Sequence, residues 1–226
     1  MGRLLEVRRL GRVAYPIALD LQKELEAEVI ERRDRDYLLL LEHPHVFTTG
    51  RRSKENGVLA NADRLKGLGV DVYETDRGGK VTYHGLGQIV GYPIISLSPD
   101  REDVHRYVRD IEEVIIRTMA DFGIEAFRID GLTGVHTSEG KIAAIGVHLK
   151  RWVTTHGFAL NVNTDLSYYN WIIACEGEPV TSMERAVGSE IDMVEVEERL
   201  EENFRSVFDY IEDRVLVLEP EALAAG

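Results

Sequence analysis

Cysteine is nearly absent from this chain of 226 residues, in which Cys175 is the single thiol. One thiol excludes an intramolecular disulfide framework and a metal site built from several thiolates. The sequence also lacks an apolar run long enough to span a membrane, and Arg3, Arg8, Arg9 and Arg12 interrupt any signal-peptide core near the start. We therefore expect a cytoplasmic location, a free cysteine and no membrane partner.

Positive charge is also scarce. The chain has 27 Lys and Arg against 40 Asp and Glu, which gives a net charge of −13. Because binding to DNA or RNA depends on basic surface, nucleic acid is not an expected partner. Residues 184–226 carry thirteen acidic side chains and four arginines, so −9 of the charge lies there and −4 lies on residues 1–183. The first 183 residues can still present a basic patch to an acidic protein.

Apolar side chains recur at helical spacing in three segments. The stripe of a first helix, opened by Pro16, consists of Ile17, Leu21, Leu25 and Val29. The longest helix is expected over residues 101–122, and a terminal helix carries residues 200–211. Residues 181–184, Thr-Ser-Met-Glu, match a capping box that starts a short helix ending at Gly188.

Strand patterns lie between these helices. They cover residues 4–10, 37–41, 124–129, a hairpin over 134–149, and 154–162. The run 37–41 is continuously apolar, as in a central strand covered on both faces. Because helices and strands intermix without a repeat or a composition break, we predict one domain, residues 1–226. Its fold class is α/β (α+β), with a mixed β-sheet flanked by helices.

The stretch from Asp76 to Pro93 has five glycines in eighteen residues, set among Arg, Thr, Tyr, His and Gln. Glycine tolerates positive φ and has no Cβ, so such a loop can aim N–H groups at an oxygen atom or lie flat against an acyl chain. The alternative is a hairpin whose glycines serve turn geometry alone. The glycine spacing matches neither the dinucleotide fingerprint nor the P-loop.

Two other side chains suggest reactive chemistry. Counted by period 2, Lys141 shares the strand face of Ala143, where lost hydration favours a neutral, basic amine. The alternative is a lysine at a strand end that reaches water. Cys175 lies in a loop ahead of the short capped helix, where a thiolate nucleophile is favoured, unless it is simply a small buried apolar side chain. His43 and His45 are interpreted as turn residues, so no metal is predicted.

Four blocks of sequence occur in order across about residues 10–210. They are Leu40-Leu41-Glu42-His43-Pro44 with Thr49-Gly50; Arg77-Gly78-Gly79-x-x-Thr82-Tyr83-His84-Gly85-x-Gly87-Gln88; Lys141-Ile142-Ala143-Ala144-Ile145-Gly146-Val147 with His156-Gly157-Phe158-Ala159-Leu160-Asn161; and Cys175-x-Gly177 with Val180-Thr181-Ser182. Together they resemble the lipoate-biosynthesis octanoyltransferases, also called lipoyl(octanoyl) transferases. The resemblance implies the fold shared by biotin and lipoate ligases.

The resemblance also implies a transferase of protein lipoylation that needs no cofactor. An octanoyl group would pass from the thioester of octanoyl-acyl carrier protein to a lysine of a lipoyl domain, in 2-oxoacid dehydrogenase complexes or the glycine cleavage H protein. The family's acyl-cysteine nucleophile falls on Cys175 and its partner on Lys141. The implied substrate-binding positions are Arg77, Gly78, Gly79, Lys80, Val81, Thr82, Tyr83, His84, Ala144, Ile145, Gly146, Gly157, Phe158 and Ala159, with His156 in support.

Two positions depart from the family pattern. Leu86 stands where proline is usual, and Glu176 stands where glycine is usual. A carboxylate beside a thiolate opposes it, but successive side chains in an extended loop point apart, so we expect Glu176 to face away from the site. Two alternative functions stay open. One is an ATP-dependent lipoate or biotin protein ligase, which needs no cysteine nucleophile, and the other is an inactive octanoyl-binding module.

Overall fold

The computed structural model of the protein describes residues 4–53, 57–173 and 178–210. Its strands are β1 (Leu4–Arg12), β2 (Arg35–Glu42), β3 (Val46–Thr49), β4 (Asp71–Glu74), β5 (Val81–His84), β6 (Gln88–Ile94), β7 (Val135–Thr137), β8 (Gly140–Lys150) and β9 (Val153–Asn161). Its α-helices are α1 (Tyr15–Arg32), α2 (Ala62–Leu68), α3 (Val104–Asp121), α4 (Met183–Val187) and α5 (Met193–Val207), and a 3₁₀ helix spans Leu166–Trp171.

Six strands form the main sheet in the order β1-β2-β6-β9-β8-β7. β1 and β2 run parallel, and the other neighbours run antiparallel. Helix α1 is the crossover between β1 and β2, because parallel neighbours cannot be joined by a tight turn. A smaller sheet has the order β4-β3-β5, with β3 parallel to β4 and antiparallel to β5. The predicted class, α/β (α+β) with a mixed sheet flanked by helices, is confirmed.

Helices cover both faces of the main sheet, and β2 shows how. Leu38 and Leu40 pack on the face covered by α3 and α5, whereas Leu39 and Leu41 pack on the face covered by α1. All four leucines are fully buried. Successive side chains of a strand point to opposite faces, so a continuously apolar run fits a strand covered on both sides, as predicted.

The first helix begins at Tyr15, with Pro16 in its first turn, where a missing N–H is tolerated. Its buried stripe differs from the predicted one, because Ile17 is 57% exposed while Ala18 and Gln22 are buried. A strict i+4 stripe drifts by about 40° per step around a helix of 3.6 residues per turn. A buried helix face therefore alternates steps of three and four, which the predicted stripe did not.

Two further local predictions are wrong. Residues 124–129 do not form a strand; within the described ranges their strand-like pairing is the isolated bridge of Phe127 with His136. Helix α4 is capped by Ser182, whose hydroxyl accepts the hydrogen bond of Arg185 N–H, and not by Thr181. The hydroxyl of Thr181 instead donates to Glu139. No α-helix in the described part of the chain is long and apolar enough to cross a membrane.

Candidate active site

A cavity of about 260 Å³ opens between the main sheet, β5 and the start of α1. Most of the predicted substrate-binding positions line it, namely Arg77, Gly79, Lys80, Val81, Thr82, His84, Ala144, Ile145, Gly146, Gly157, Phe158 and Ala159. Lys141 and His156 line it as well. Gly78 and Tyr83 are absent from its lining, and Tyr83 is buried in the core of the smaller sheet. The fold therefore brings together two segments that are far apart in sequence.

The floor of the cavity is a strip of small residues on two neighbouring strands. Ala144 of β8 lies opposite Ala159 of β9, and Gly146 lies opposite Gly157. Residues two apart on a strand share a face, so these four positions form one continuous surface. Lys141 precedes Gly146 by five residues, which corresponds to about 16 Å along the strand. We call this strip, with the space above it, the small-residue channel.

The glycine-rich loop closes the Gly146 end of the small-residue channel. Gly78 N–H donates to the carbonyl oxygen of Val147 at 2.9 Å, which bonds the loop to β8. A Cβ on Gly146 would lie 2.9 Å from the carbonyl oxygen of Gly78. Gly79 has φ +91°, a conformation that favours glycine. These glycines therefore serve the turn and the close approach of two backbones together.

Arg77 braces this loop against β3. Its guanidinium, in a residue only 7% exposed, donates from Nη2 to the Thr48 carbonyl oxygen at 2.6 Å and to the Thr48 hydroxyl at 2.9 Å. Nη1 donates to the carbonyl oxygen of Gly78 at 3.0 Å. Burial lowers the pKa of Arg77 from its ordinary value. Charge-assisted bonds of this kind hold the planar group in one orientation in the cavity wall.

Lys141 is buried, at 8% exposure, so it does not reach out to water. A β-bulge changes its face: Val135 pairs with Ala143, but His136 pairs with Lys141, which leaves Ile142 as an extra residue. Ile142 and Ala143 both pack in the same apolar cluster, so the alternation of faces breaks between them. The count that put Lys141 on the face of Ala143 is therefore wrong, and Lys141 lines the cavity.

Lys141 has partners through its side chain and its backbone. Its Nζ donates to the carbonyl oxygen of Thr133 at 2.7 Å. Its N–H donates to the Pro179 carbonyl oxygen at 2.9 Å, and its own carbonyl oxygen accepts from Thr181 N–H at 3.0 Å. The segment that leads into α4 thus runs alongside the first residues of β8.

Cys175 and Glu176 lie outside the described residues, so what the sequence predicts for them stays a prediction. The described chain resumes at Glu178, three residues after the cysteine. Glu178 and Val180 line the cavity, and Val180 forms a parallel bridge with Lys141. The first described residues after this gap therefore pair with Lys141.

Asn161 and Tyr169, which had no predicted role, also line the cavity, and hydrogen bonds connect them through Gln88 to His84. His84 Nδ1–H donates to Gln88 Oε1 at 2.9 Å, and Gln88 Nε2 donates to Asn161 Oδ1 at 2.9 Å. Tyr169 donates its hydroxyl to the same Asn161 oxygen at 3.2 Å. Asn161 and Tyr169 both belong to the cavity wall. In the sequence, Asn161 could have been noticed as a polar residue at the end of the apolar strand β9. The spacing of residues gave no sign of Tyr169.

His156 joins three parts of the molecule. Its Nε2 lies 2.8 Å from Asp76 Oδ1, and its backbone N–H, at φ +56°, donates to Gln22 Oε1 at 2.7 Å. Burial lowers the pKa of His156, although the Asp76 hydrogen bond opposes this. Burial raises the pKa of Asp76, but its hydrogen bond to His156 and the nearby His148 outweigh this and lower it. Asp76 is thus the carboxylate acceptor that ties the start of the glycine-rich stretch to β9.

The tyrosine and histidine side chains near α1 are neutral at pH 7. Burial raises the pKa of Tyr15 to about 12 and that of Tyr92 well above its ordinary value. Burial lowers the pKa of His43 to about 4 and that of His84 well below its ordinary value. His43 Nδ1–H donates to the Val13 carbonyl oxygen at 2.6 Å, and Tyr92 donates its hydroxyl to Nε2 at 2.8 Å. Across the described ranges, no group of three or more His, Cys, Asp or Glu is placed to hold a metal ion.

A channel of small residues, neutral aromatic walls and one buried amine suits a ligand with an alkyl part and a carbonyl group. Together with the mixed sheet, these features define an α/β protein with an apolar ligand site. A putative lipoate protein ligase from T. acidophilum with bound lipoic acid has this fold, with a TM-score of 0.71 over 97% of this chain and 90% of that chain at 18% identity. The biotin protein ligase of Aquifex aeolicus shares it with a TM-score of 0.53 over 92% and 70% at 10% identity.

The chain belongs to the lipoyl protein ligase A/B catalytic domain family, whose model matches residues 14–205. An octanoyltransferase from Solibacter usitatus is 52% identical over 205 residues, which cover 90% of this chain and 93% of that protein. A longer octanoyltransferase from Myxococcus xanthus is 48% identical over 211 residues, or 90% of this chain and 59% of that protein. The resemblance seen in the four sequence blocks is confirmed, and the protein is an acyltransferase.

Proposed function

We propose that the protein transfers an octanoyl group from octanoyl-acyl carrier protein to a lysine of a lipoyl domain, through an acyl-Cys175 intermediate. The observation that carries this proposal is the pairing of residues 179–181 with the buried Lys141, at one end of the small-residue channel. Three residues lie between Cys175 and Pro179 in the chain. The names of the relatives support octanoate as the group transferred. The acceptors proposed are the lipoyl domains of 2-oxoacid dehydrogenase complexes and the glycine cleavage H protein.

The small-residue channel is the proposed acyl site. When an alkyl chain lies over Ala144, Gly146 and Ala159, apolar surface of both the ligand and the protein is removed from water. Each buried CH₂ group contributes about 0.8 kcal/mol to binding. Larger side chains at these positions would fill the space that the chain needs. The glycine-rich loop, braced by Arg77, covers one end, while Lys141 lies at the other.

The first step forms the acyl-enzyme. The Lys141 amine takes the thiol proton of Cys175, and the resulting ammonium stabilises the thiolate. The thiolate attacks the carbonyl carbon of the thioester, and backbone N–H groups stabilise the negative charge that develops on oxygen. The bond to the carrier's phosphopantetheine sulfur breaks, and that sulfur takes the proton from Lys141. Lys141 is then a neutral amine beside acyl-Cys175.

The second step uses that neutral amine as a base. The acceptor lysine must lose a proton to become a nucleophile, and Lys141 takes this proton. As the acceptor nitrogen forms the amide bond to the octanoyl carbon, Cys175 leaves as the thiolate and the second proton of that nitrogen passes to solvent. The ammonium of Lys141 and the thiolate of Cys175 are then paired again for the next cycle.

The test uses intact mass spectrometry of the protein mixed with octanoyl-acyl carrier protein in the absence of ATP. We expect a gain of one octanoyl group on the peptide that contains Cys175, followed by its transfer when a lipoyl domain is added. Cys175→Ser should gain nothing. Transfer by Cys175→Ser at the parent rate would overturn the covalent mechanism. Transfer that requires ATP identifies a ligase, and octanoyl binding without transfer identifies a binding module.

A further inference from the structure

We propose that Glu112 is a positioning residue for Lys141, acting through a single peptide group. The inference rests on the proposed role of Lys141 as the partner and base of Cys175. Glu112 lies on α3, on the face of the main sheet opposite α1, and its side chain is fully buried. It is not part of the cavity lining. A fully buried carboxylate is costly unless each of its oxygens is paired, so its partners indicate what it stabilises.

Both oxygens of Glu112 have partners. Oε2 accepts from Arg109 Nη1 at 2.8 Å and from Arg128 Nε at 3.2 Å. Oε1 accepts from the backbone N–H of Gly134 at 3.0 Å. The two guanidinium groups compensate the buried negative charge, since ion pairs offset the desolvation of a carboxylate. The bond to Gly134 ties the loop before β7 to the middle of α3.

The peptide group between Thr133 and Gly134 links Glu112 to Lys141. Its N–H donates to Glu112, and its carbonyl oxygen accepts from Lys141 Nζ at 2.7 Å. In a trans peptide the N–H and C=O point in opposite directions, so the carboxylate and the ammonium lie on opposite sides of one planar unit. The position of the carbonyl oxygen is therefore set by the bond that Glu112 makes.

The two hydrogen bonds also couple Glu112 and Lys141 electrostatically. A negative group that accepts from a peptide N–H polarises the peptide, and its carbonyl oxygen becomes a stronger acceptor. The Thr133 carbonyl oxygen that accepts from Lys141 Nζ is thus strengthened by a carboxylate that the lysine does not touch. In the proposed mechanism this holds Lys141 as a cation in one place while the thiolate of Cys175 forms.

Gly134 shows how closely the lysine side chain lies on this peptide. A Cβ on Gly134 would be 2.5 Å from Lys141 Cε and 2.5 Å from the Ala143 carbonyl oxygen. Its φ of +124° is also one that side chains rarely adopt. Glycine is required here because the lysine side chain crosses directly over the backbone.

The test measures the reactivity of the Lys141 amine and does not require octanoyl transfer. Full-length protein is reductively methylated with formaldehyde and a borane reductant, and the rate at Lys141 is compared with that at exposed Lys23 by peptide mass spectrometry. In Glu112→Gln we expect Lys141 to react several-fold faster, because the Thr133 carbonyl oxygen holds its Nζ less firmly. The matched control is Glu113→Gln, which breaks the 2.8 Å ion pair to Arg128 but leaves the Thr133–Gly134 peptide untouched, and its Lys141 rate should equal the parent rate.

An unchanged Lys141 rate in Glu112→Gln, or an equal rise in Glu113→Gln, would overturn the inference. If Glu112→Gln unfolds below the assay temperature, Glu112→Asp replaces it, since aspartate keeps the charge but is too short to reach Gly134; the same rise is expected. The labelling needs neither Cys175 nor an octanoyl donor. Its result can therefore be interpreted even if the proposed transfer reaction does not occur. Where transfer occurs, Glu112→Gln should lower kcat about tenfold with little change in KM.

Discussion

The guanidinium Nη2 of Arg77 and the backbone carbonyl oxygen of Thr48 lie 2.6 Å apart, although 29 residues separate them in the chain. This bond and the one to the Thr48 hydroxyl fasten the glycine-rich loop to β3, and the loop in turn is bonded to β8 through Gly78. The loop that closes the small-residue channel is thus held between the two sheets.

Replacing Arg77 by lysine should weaken this brace. A lysine ammonium cannot present the planar fork that reaches Thr48 and Gly78 together. The loss of a buried hydrogen bond to a charged group corresponds to about 2 kcal/mol of unfolding free energy. Urea unfolding measures the change, and kcat/KM for acyl transfer should fall as well. The control is Arg106→Lys on the exposed face of α3, and equal effects of the two changes would contradict the proposed brace.

Gly157→Ala should destabilise the fold strongly. Its Cβ would lie 2.1 Å from the backbone carbonyl oxygen of Gly91 on the neighbouring strand, which cannot move aside as a side chain can. We expect a loss of about 3 kcal/mol or more in unfolding free energy. Gly67→Ala is the matched control, because nothing lies within 4 Å of its Cβ in helix α2. That change should stabilise the protein by roughly 0.5–1 kcal/mol, and similar losses for both variants would refute the steric argument.

Stability should fall as the pH drops below about 6.5, in part because of His43. An unfolded histidine takes up a proton near pH 6.5, whereas folded His43 does so only near pH 4. The unfolded state therefore binds protons first, and the contribution of His43 is complete above pH 6.5 and lost towards pH 4. The difference is roughly 3 kcal/mol. Buried His84 and His156 contribute with the same sign, since burial lowers their pKa values too.

Chemical unfolding at several pH values tests this. His43→Gln should flatten the dependence of the unfolding free energy on pH between 6.5 and 4, although its value at pH 7 will be lower because the bonds to Val13 and Tyr92 change. His105→Gln, at an exposed position on α3, should leave the slope as in the parent. If the unfolding free energy of His43→Gln depends on pH as steeply as that of the parent protein, His43 is not the source of the pH dependence.

Lys141→Arg should abolish acyl transfer although the positive charge is kept. A guanidinium stays protonated and cannot take the acceptor's proton, and the close approach of Lys141 to Gly134 leaves no room for a longer side chain. Lys141→Ala should also be inactive and should move the alkylation of Cys175 by iodoacetamide to higher pH. Lys150→Arg, on the same strand but exposed, should retain activity. Activity in Lys141→Arg would exclude Lys141 as the base.

Some features of this protein could be read from local sequence. The run of leucines in β2 predicted a strand buried on both faces, because alternation and side-chain type are local properties. The hairpin of β7 and β8 was marked by turn residues between apolar runs for the same reason. The four blocks that resemble octanoyltransferases were also readable, since each combines unusual residue types at short spacing. The family and the fold class follow from these.

The sequence by itself therefore determined the fold class, the family and most of the residues that line the cavity. The tertiary structure decided how the cavity residues are arranged relative to one another. Lys141 faces the cavity because a bulge forms where β8 pairs with β7, and no count along β8 alone contains that register shift. Glu112 is connected to Lys141 because α3 packs beside the loop at Thr133 and Gly134. Such relationships depend on which segments become neighbours, and packing between distant segments sets them rather than local propensity.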